Sequence, residues 1–179
     1  MTYLASRRRQ LSGNSARENN NQAANIALAV YRIGSAAIWR ARHDDMQSLA
    51  MPRLNISSCT PWEAIVGYSR AVRIGNHVWV AGTTATDENG RVVGVGDAPA
   101  QTRYALEKIG RALNEAGYTF ADVVRTRTFV TDISQWQAIG TVHGEFFGDV
   151  RPAATMVAVS ALIDPAHLVE IEVDAFRGD

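Results

Sequence analysis

The sequence predicts an α+β fold in which two helices pack on one face of a β-sheet. Two segments with helical periodicity lie among strand-like runs, which gives the order β-β-(β)-α-β-α-β-β. Strand runs grouped around helices in this way are typical of an α+β sheet that is covered on one side. The last strand alternates apolar and charged residues, so one sheet face lies outside the apolar core. We expect that face to be either polar and solvated or buried by another subunit.

The first predicted strands form a hairpin. Residues 70–74 and His77–Thr84 are strand-like, and the Gly75-Asn76 pair between them marks a tight turn. A second turn over residues 87–90 leads to a short third strand over residues 91–93.

The first helix has clear start and stop signals. Asp97 is suited to cap its N-terminus, Pro99 lies in the first turn where its missing N–H costs little, and Gly117 is placed to end the helix. The side chains expected to face the core recur at helical spacing: Ala105, Ile109, Ala112, Leu113 and Ala116.

The second half of the chain adds three strands and one helix. A strand is predicted over residues 123–131, followed by a helix over residues 134–147 with Ser134 as its cap. The last two strands are predicted over residues 154–160 and 168–176.

Charged residues alternate along two of these strands. In the last strand Glu170, Glu172 and Asp174 share one face, and in the strand over residues 123–131 Arg125 and Arg127 share one face. The face opposite the arginines is predicted to carry Val124, Thr126, Thr128 and Val130. We expect the arginines to pair with the carboxylates, because unmatched like charges on one sheet face are destabilising. An alternative is that one carboxylate lies in a cleft and orients a water molecule or accepts a proton.

The composition limits the classes of protein to consider. The 179 residues suffice for one domain with a sizeable core, and 46% of them are apolar, which excludes wholesale disorder. Cys59 is the single cysteine, so an internal disulfide framework and a multi-cysteine zinc site are excluded. The four histidines have no metal-ligand spacing, and no dinucleotide fingerprint or Walker A lysine occurs. We therefore expect no metal site.

Charge divides the chain into two unlike parts. Lys+Arg and Asp+Glu both number 18, so the formal net charge is zero. Residues 1–50 hold seven arginines and three acids, a net +4, whereas residues 51–179 hold eleven basic and fifteen acidic groups, a net −4. We predict a disordered, partly helical basic leader over residues 1–50 and a folded domain over residues 51–179. The acidic balance of the domain argues against a nucleic acid partner.

Three interpretations of the leader remain open. Its arginine and serine content fits a targeting presequence, and an apolar stripe within residues 22–42 fits a surface-binding or partner-binding helix. The interpretation we favour is a non-functional extension, with Met51 opening the working protein. No window reaches the roughly 18–20 apolar residues of a membrane span, and no secretory apolar region follows the first arginines. We therefore expect a soluble, cytoplasmic protein without a membrane partner.

The chain also carries a series of motifs in a fixed order and spacing. They are YSRAV at residues 68–72, VAGTT at 80–84, RTRTFVTD at 125–132, FFG at 146–148, RPA at 151–153 and LVEIEVDA at 168–175. This series closely resembles the YjgF/Rid family of reactive intermediate deaminases. The resemblance implies a chorismate-mutase-like, RidA-like fold assembled as a homotrimer. It also implies inter-subunit clefts that bind small carboxylates and hydrolyse enamines or imines, releasing ammonia without a metal or organic cofactor.

The resemblance implies a site residue by residue. Tyr68 matches the family's cleft tyrosine, and Gly82 and Thr83 match the segment whose backbone contacts the ligand. Glu170 matches the carboxylate that positions the attacking water. Ala154 stands where active imine deaminases have an arginine whose planar fork grips the substrate carboxylate.

The missing arginine implies an atypical specificity. Its loss removes a charge-assisted interaction of roughly 1.5–3 kcal/mol, unless Arg127 or Arg151 replaces it from another position. Gly140 similarly replaces the family's cleft asparagine. We expect a Rid-like hydrolase or deaminase that acts on a small enamine, imine or related metabolite. The alternatives are a non-catalytic small-ligand-binding trimer and, less favoured, an RNA endonuclease.

Overall fold

The structure is a computed structural model that describes residues 51–178. Its regular elements are, in chain order, β1 (Arg53–Ile56), α1 (Pro61–Val66), β2 (Ala71–Ile74), β3 (His77–Thr84), α2 (Ala98–Glu115), β4 (Val123–Val130), α3 (Trp136–Phe147), β5 (Ala153–Ala158) and β6 (Val169–Phe176). Short 3₁₀ turns over Phe120–Asp122 and Ile133–Gln135 precede β4 and α3. The predicted leader over residues 1–50 lies outside the described residues, and the domain division stays a prediction.

The strands form one six-stranded sheet in the order β1-β2-β3-β6-β4-β5. The β4–β5 pair is parallel and the other neighbouring pairs are antiparallel. This arrangement places β6 in the middle of the sheet and leaves β1 and β5 at its two edges. The predicted α+β sheet is confirmed.

Helices α2 and α3 cover one face of the sheet and build the core. Helix α2 packs against α3, β3 and β6. Its side chains Leu106, Ile109 and Leu113 are fully buried in the same cluster as Ile171 and Val173 of β6. The opposite face, which we call the open face, carries the alternate residues of β6 and is uncovered within residues 51–178.

The helix α2 begins and ends where its capping residues predict. The Asp97 carboxylate accepts a hydrogen bond from the Ala100 amide at 2.9 Å. At the other end Gly117 adopts a left-handed φ of +79°, and the Tyr118 amide donates to the Leu113 carbonyl at 2.8 Å. None of the helices in the described part of the chain is long and apolar enough to cross a membrane.

Two local predictions were wrong, and two short elements were not predicted. Strand β1 and helix α1 were not predicted, because four and six residues are too few to show a periodic pattern. Residues 91–93 form no strand and contribute an isolated bridge between Thr86 and Val92. Ser134 does not cap α3, since its amide donates to the Asp132 carboxylate in the preceding 3₁₀ turn.

A β-bulge corrects the predicted faces of β4. The pairing with β6 shifts register between Val123 and Arg125. Val123 consequently takes the core position and is buried, whereas Val124 is exposed instead of sharing the core face with Thr126. An extra residue of this kind is invisible to a strict two-residue alternation.

Candidate active site

Two of the three carboxylates on the open face of β6 are paired with one arginine. The Arg127 guanidinium of β4 donates to Glu172 Oε1 at 2.9 Å and to Asp174 Oδ2 at 3.1 Å. These contacts follow from the register, since Arg127 lies directly opposite Glu172. The expected charge match is therefore made by Arg127, while Arg125 is exposed.

Glu170 is the third carboxylate, and no hydrogen bond or ion pair reaches it from residues 51–178. It is half-buried at the start of β6, beside Thr84 at the end of β3. Burial raises the pKa of the Glu170 carboxyl above its ordinary value, and the charge of Glu172 raises it further. The positive charge of Arg70 acts in the opposite direction.

Gly82 lets the Glu170 carboxylate approach the backbone of β3. The pairing of β3 with β6 shifts between Val80 and Thr83, so that β3 has one extra residue at this point. A Cβ on Gly82 would overlap Glu170 Oε1. The glycine therefore leaves room for the carboxylate in this position, and its φ is not in the left-handed region.

Arg70 connects three of the predicted site residues. Its Nη1 donates to the Gly82 carbonyl at 2.9 Å and to Thr83 Oγ1 at 3.0 Å, and its Nη2 donates to the Tyr68 hydroxyl at 3.1 Å. Only 9% of Arg70 is exposed, and Thr83 is buried. Tyr68, Gly82, Thr83 and Glu170 therefore lie close together in the structure.

The role of Arg70 was missed in the sequence. It stands in the YSRAV motif between Tyr68 and the buried Ala71. One feature of the sequence could have indicated it: a charged side chain directly before a core strand is partly buried, and its buried polar group then requires a polar partner. The partners themselves come from β3 and depend on the bulge at Gly82.

Ala154 does not join this group within one chain. It pairs with Thr126 of β4, which in turn pairs with Val173, and directly paired residues share a sheet face. Ala154 therefore lies on the core side of the edge strand β5, roughly 10 Å across the sheet from β6, whereas Glu170 lies on the open face.

The two arginines considered as substitutes for an arginine at position 154 are bound by other groups or exposed. Arg127 is held by two carboxylates of β6. Arg151 is exposed at the turn before β5, with a φ of +53°, and its Nε donates to the Gly148 carbonyl at 3.1 Å. Neither guanidinium is placed beside Glu170.

An open concavity of about 740 Å³ lies next to this group on the open face. Its lining includes Tyr68, Glu63, Trp79, Arg127, Glu172 and Asp174. It shares only Tyr68 with the predicted site residues. The concavity therefore borders the candidate site at Tyr68, and Glu170 is not part of its lining.

A second polar cluster lies at the C-terminal end of β3. The Lys108 ammonium of α2 donates to the carbonyls of Thr84 at 3.0 Å and Thr86 at 2.8 Å. His167 Nε2 hydrogen-bonds Thr86 Oγ1 at 3.0 Å. Burial lowers the pKa of Lys108 to about 8, with the charge of Arg70 adding to the effect.

No cluster of three or more His, Cys, Asp or Glu side chains that could hold a metal ion occurs in the described range 51–178. Cys59 is a free, exposed thiol. The groups gathered around Gly82 are a carboxylate, a phenol, a guanidinium and backbone groups.

Comparison with known proteins assigns the domain to a family. The family model described as Endoribonuclease L-PSP matches residues 60–177, a range that contains all the predicted site residues. The crystal structure of a Mycobacterium tuberculosis member of the YjgF/YER057c/UK114 family is 53% identical, with a TM-score of 0.64, and covers 70% of this chain and 100% of that one. The chain belongs to the YjgF/Rid family.

Two curated relatives extend the comparison within the YjgF/Rid family. An uncharacterized protein of Streptomyces coelicolor is 39% identical over 123 residues, which are 69% of this chain and 91% of the relative. The 3-aminoacrylate deaminase RutC of Acinetobacter baylyi is 42% identical over 104 residues, which are 58% of this chain and 82% of the relative.

Proposed function

We propose that this YjgF/Rid protein is a hydrolase that deaminates a small enamine or imine, with Glu170 orienting the attacking water. The observation that carries the proposal is the state of Glu170. Among the three carboxylates on its strand face it is the one left unpaired within residues 51–178, and it is half-buried against Gly82 beside the Arg70–Tyr68 pair. A carboxylate kept free of partners in a partly desolvated position is suited to bind and activate water.

The reaction adds one water molecule across a C=N bond. An enamine first becomes an imine by taking a proton on carbon and losing one from nitrogen. Water then attacks the imine carbon while Glu170 accepts the water's proton and passes it to the imine nitrogen, which gives a neutral carbinolamine. Glu170 next moves the proton of the carbinolamine hydroxyl to the nitrogen, and the C–N bond breaks to release ammonia and leave the carbonyl product. The balance is R₂C=NH + H₂O → R₂C=O + NH₃. A raised pKa helps both transfers, because the carboxyl then gains and loses a proton nearer to neutral pH.

The comparisons support this class of substrate. The Acinetobacter baylyi relative is named for the deamination of 3-aminoacrylate, which is by its structure an enamine that carries a carboxylate. In this chain Ala154 replaces the arginine that the family uses for a carboxylate. We therefore propose an atypical specificity, in which the favoured substrates do not depend on an arginine to hold a carboxylate.

We propose that the site is completed between subunits of a homotrimer. Ala154 and Glu170 lie on opposite faces of one chain's sheet, so they share a cleft only if one copy brings its β5 to the open face of another. The exposed edge strand β5 and the exposed Trp79 and Val157 also favour burial by a second copy. We also propose a cytoplasmic location, which is the expectation from the sequence.

Two other functions each have one observation in their favour. Ala154 favours a non-catalytic small-ligand-binding trimer. The description of the matching family model favours an endoribonuclease, although the net −4 of residues 51–179 opposes RNA binding.

The test uses the full chain and imines generated in the assay, by an amino-acid oxidase for those with a carboxylate and by an amine oxidase for those without, with semicarbazide as a competing trap. We expect the protein to suppress semicarbazone formation and to speed ammonia release from at least one imine of a panel with and without carboxylates. Thermal stabilisation by carboxylate ligands without any turnover would favour the binding protein. Cleavage of single-stranded RNA without imine turnover would favour the nuclease.

A further inference from the structure

Arg70 is a buried cation at the centre of the candidate site. Nine-tenths of its surface is buried, and its Nε has no hydrogen-bond partner within residues 51–178. Its three hydrogen bonds go to a phenol, a hydroxyl and a carbonyl, none of which is charged. Burying a guanidinium without direct contact to a carboxylate costs folding free energy. This cost indicates that the positive charge of Arg70 has a function in the site.

We infer that Arg70 is the positioning residue of the Glu170 site, where its guanidinium holds Tyr68 and the Gly82–Thr83 backbone in one arrangement beside the carboxylate. The inference rests on the proposed function for its catalytic consequence. It assigns Arg70 no contact with the substrate.

The geometry joins three separate segments through one planar group. Nη1 is bound to both Gly82 and Thr83 of β3, and Nη2 is bound to the Tyr68 hydroxyl. The Glu170 carboxylate in turn rests on Gly82. A movement of the guanidinium would therefore shift the Tyr68 phenol together with the Gly82 backbone on which the carboxylate rests. A residue that acts in this way is a positioning residue.

The charges around Arg70 come from three elements. Glu63 of α1 lies within electrostatic range, but its carboxylate is already bound by Ser57 and Ser58. Lys108 of α2 repels Arg70 and is held by carbonyls at the end of β3. Glu170 of β6 is thus the unbound anion that the Arg70 charge favours.

Two other described arginines of the sheet do not supply the same charge. Arg127 is neutralised by Glu172 and Asp174. Arg73 donates to the carbonyls of Gly75 at 3.1 Å and Ala116 at 3.0 Å, where it ties β2 to the end of α2. Arg73 is therefore a matched control, because it is also an arginine bound to backbone carbonyls but lies outside the site.

The test begins with a measurement that needs no turnover. The Glu170 carboxyl is followed by ¹³C NMR in the full chain as the pH is changed, with its signal assigned by its loss in Glu170→Gln. We expect Arg70→Gln to move the Glu170 titration to higher pH, because a favourable positive charge is removed. Arg70→Lys keeps the charge and should leave the titration near that of the wild type, as should Arg73→Gln.

The second measurement is the pH profile of kcat/KM for imine hydrolysis. We expect Arg70→Gln to move the acidic limb to higher pH, and both Arg70 variants to lower kcat by roughly 10- to 100-fold with a smaller change in KM, since a charge-assisted arrangement is lost. Should Arg70→Gln fail to fold, Arg70→Lys alone must still show the lowered kcat with the Glu170 titration unchanged.

The outcomes separate this inference from the proposed function. A wild-type protein without turnover, combined with a shifted Glu170 titration in Arg70→Gln, would overturn the proposed function and leave the electrostatic link between Arg70 and Glu170 standing. A Glu170 titration that is the same in wild type and Arg70→Gln, or a kcat unchanged in Arg70→Lys, would overturn the inference.

Discussion

At the scale of single residues, Glu170 is under two opposing demands. Stability favours a neutral or paired group at a half-buried position, whereas water activation favours an unpaired carboxylate. The raised pKa of Glu170 is the signature of that conflict, and it arises from burial and from the neighbouring Glu172. The family resemblance predicted Glu170 from its place in a motif. It did not predict that Glu170 is unpaired within residues 51–178, which follows from the pairing of Arg127 with Glu172 and Asp174.

Gly82→Ala tests the close approach between β3 and Glu170. The new Cβ would overlap Glu170 Oε1, so the carboxylate must move and we expect imine hydrolysis to fall by about 10-fold or more. The matched control is Gly144→Ala in α3, where a Cβ meets no atom within 4 Å and the helix should gain about 0.5–1 kcal/mol. Steady-state kinetics and thermal unfolding of both variants give the comparison. Wild-type turnover in Gly82→Ala would contradict the proposed geometry.

Glu170→Gln should stabilise the fold at neutral pH. The folded-state pKa is raised above its ordinary value, so the folded state binds more protons than the unfolded chain between those two values, and ionisation costs stability above them. The gain in Tm at pH 7 should vanish below about pH 4.5, where the carboxyl is protonated in both states. Glu172→Gln is the control and should bring no gain, because it breaks the pair with Arg127. An equal gain in Tm for Glu170→Gln at pH 7 and at pH 4 would contradict this prediction.

At the scale of elements, the long segments were predictable and the short ones were not. Helix α2 was predictable from Asp97, Gly117 and five apolar side chains on one face. Strand β6 was predictable from its strict alternation of apolar and charged residues. Strand β1 is fixed by its pairing with β2, and the start of helix α1 by local bonds from Ser57 and Ser58 to Glu63, neither of which leaves a periodic trace. The bulges in β3 and β4 were hidden for the same reason, although the bulge in β3 places Gly82 at the site.

Lys108 gives the contact between α2 and the end of β3 a measurable pH dependence. Its folded-state pKa is lowered to about 8 from 10.5, so between those values the unfolded chain holds a proton that the folded chain has released. Stability relative to Lys108→Gln should therefore rise as the pH increases from 8 to 10. Urea unfolding of both proteins at the two pH values measures this difference. A difference that is independent of pH would show that the ammonium is not desolvated in the folded state.

At the scale of the whole molecule, the open face and the outer edge of strand β5 have no neighbour within residues 51–178. The α+β architecture was predictable from the order of elements, and the family motifs predicted which residues form the site. We propose that a second copy covers the open face, and the order of elements in one chain does not reveal such a contact. We expect native mass spectrometry of the full chain to give a trimer, and a monomer at micromolar concentration would contradict the inter-subunit site.

Ala154→Arg tests the basis of the atypical specificity in that assembly. If β5 of one copy reaches the site of another, the restored arginine should raise kcat/KM for a carboxylate-bearing imine by roughly 10- to 100-fold, the worth of one charge-assisted clamp. An imine without a carboxylate serves as the control and should be hydrolysed at the original rate. Equal effects on both substrates would place Ala154 outside the substrate cleft.

The central claim, that Glu170 activates water in an imine deaminase, is tested most directly by comparing two acid-to-amide variants. Glu107 is an exposed carboxylate on α2, far from the open face, so Glu107→Gln controls for the loss of one negative charge. The measurement is the initial rate of ammonia release from an imine that the wild-type protein hydrolyses. We expect Glu170→Gln to lose about 100-fold or more of the rate and Glu107→Gln to keep it. A Glu170→Gln protein that hydrolyses the imine at the wild-type rate would contradict the claim.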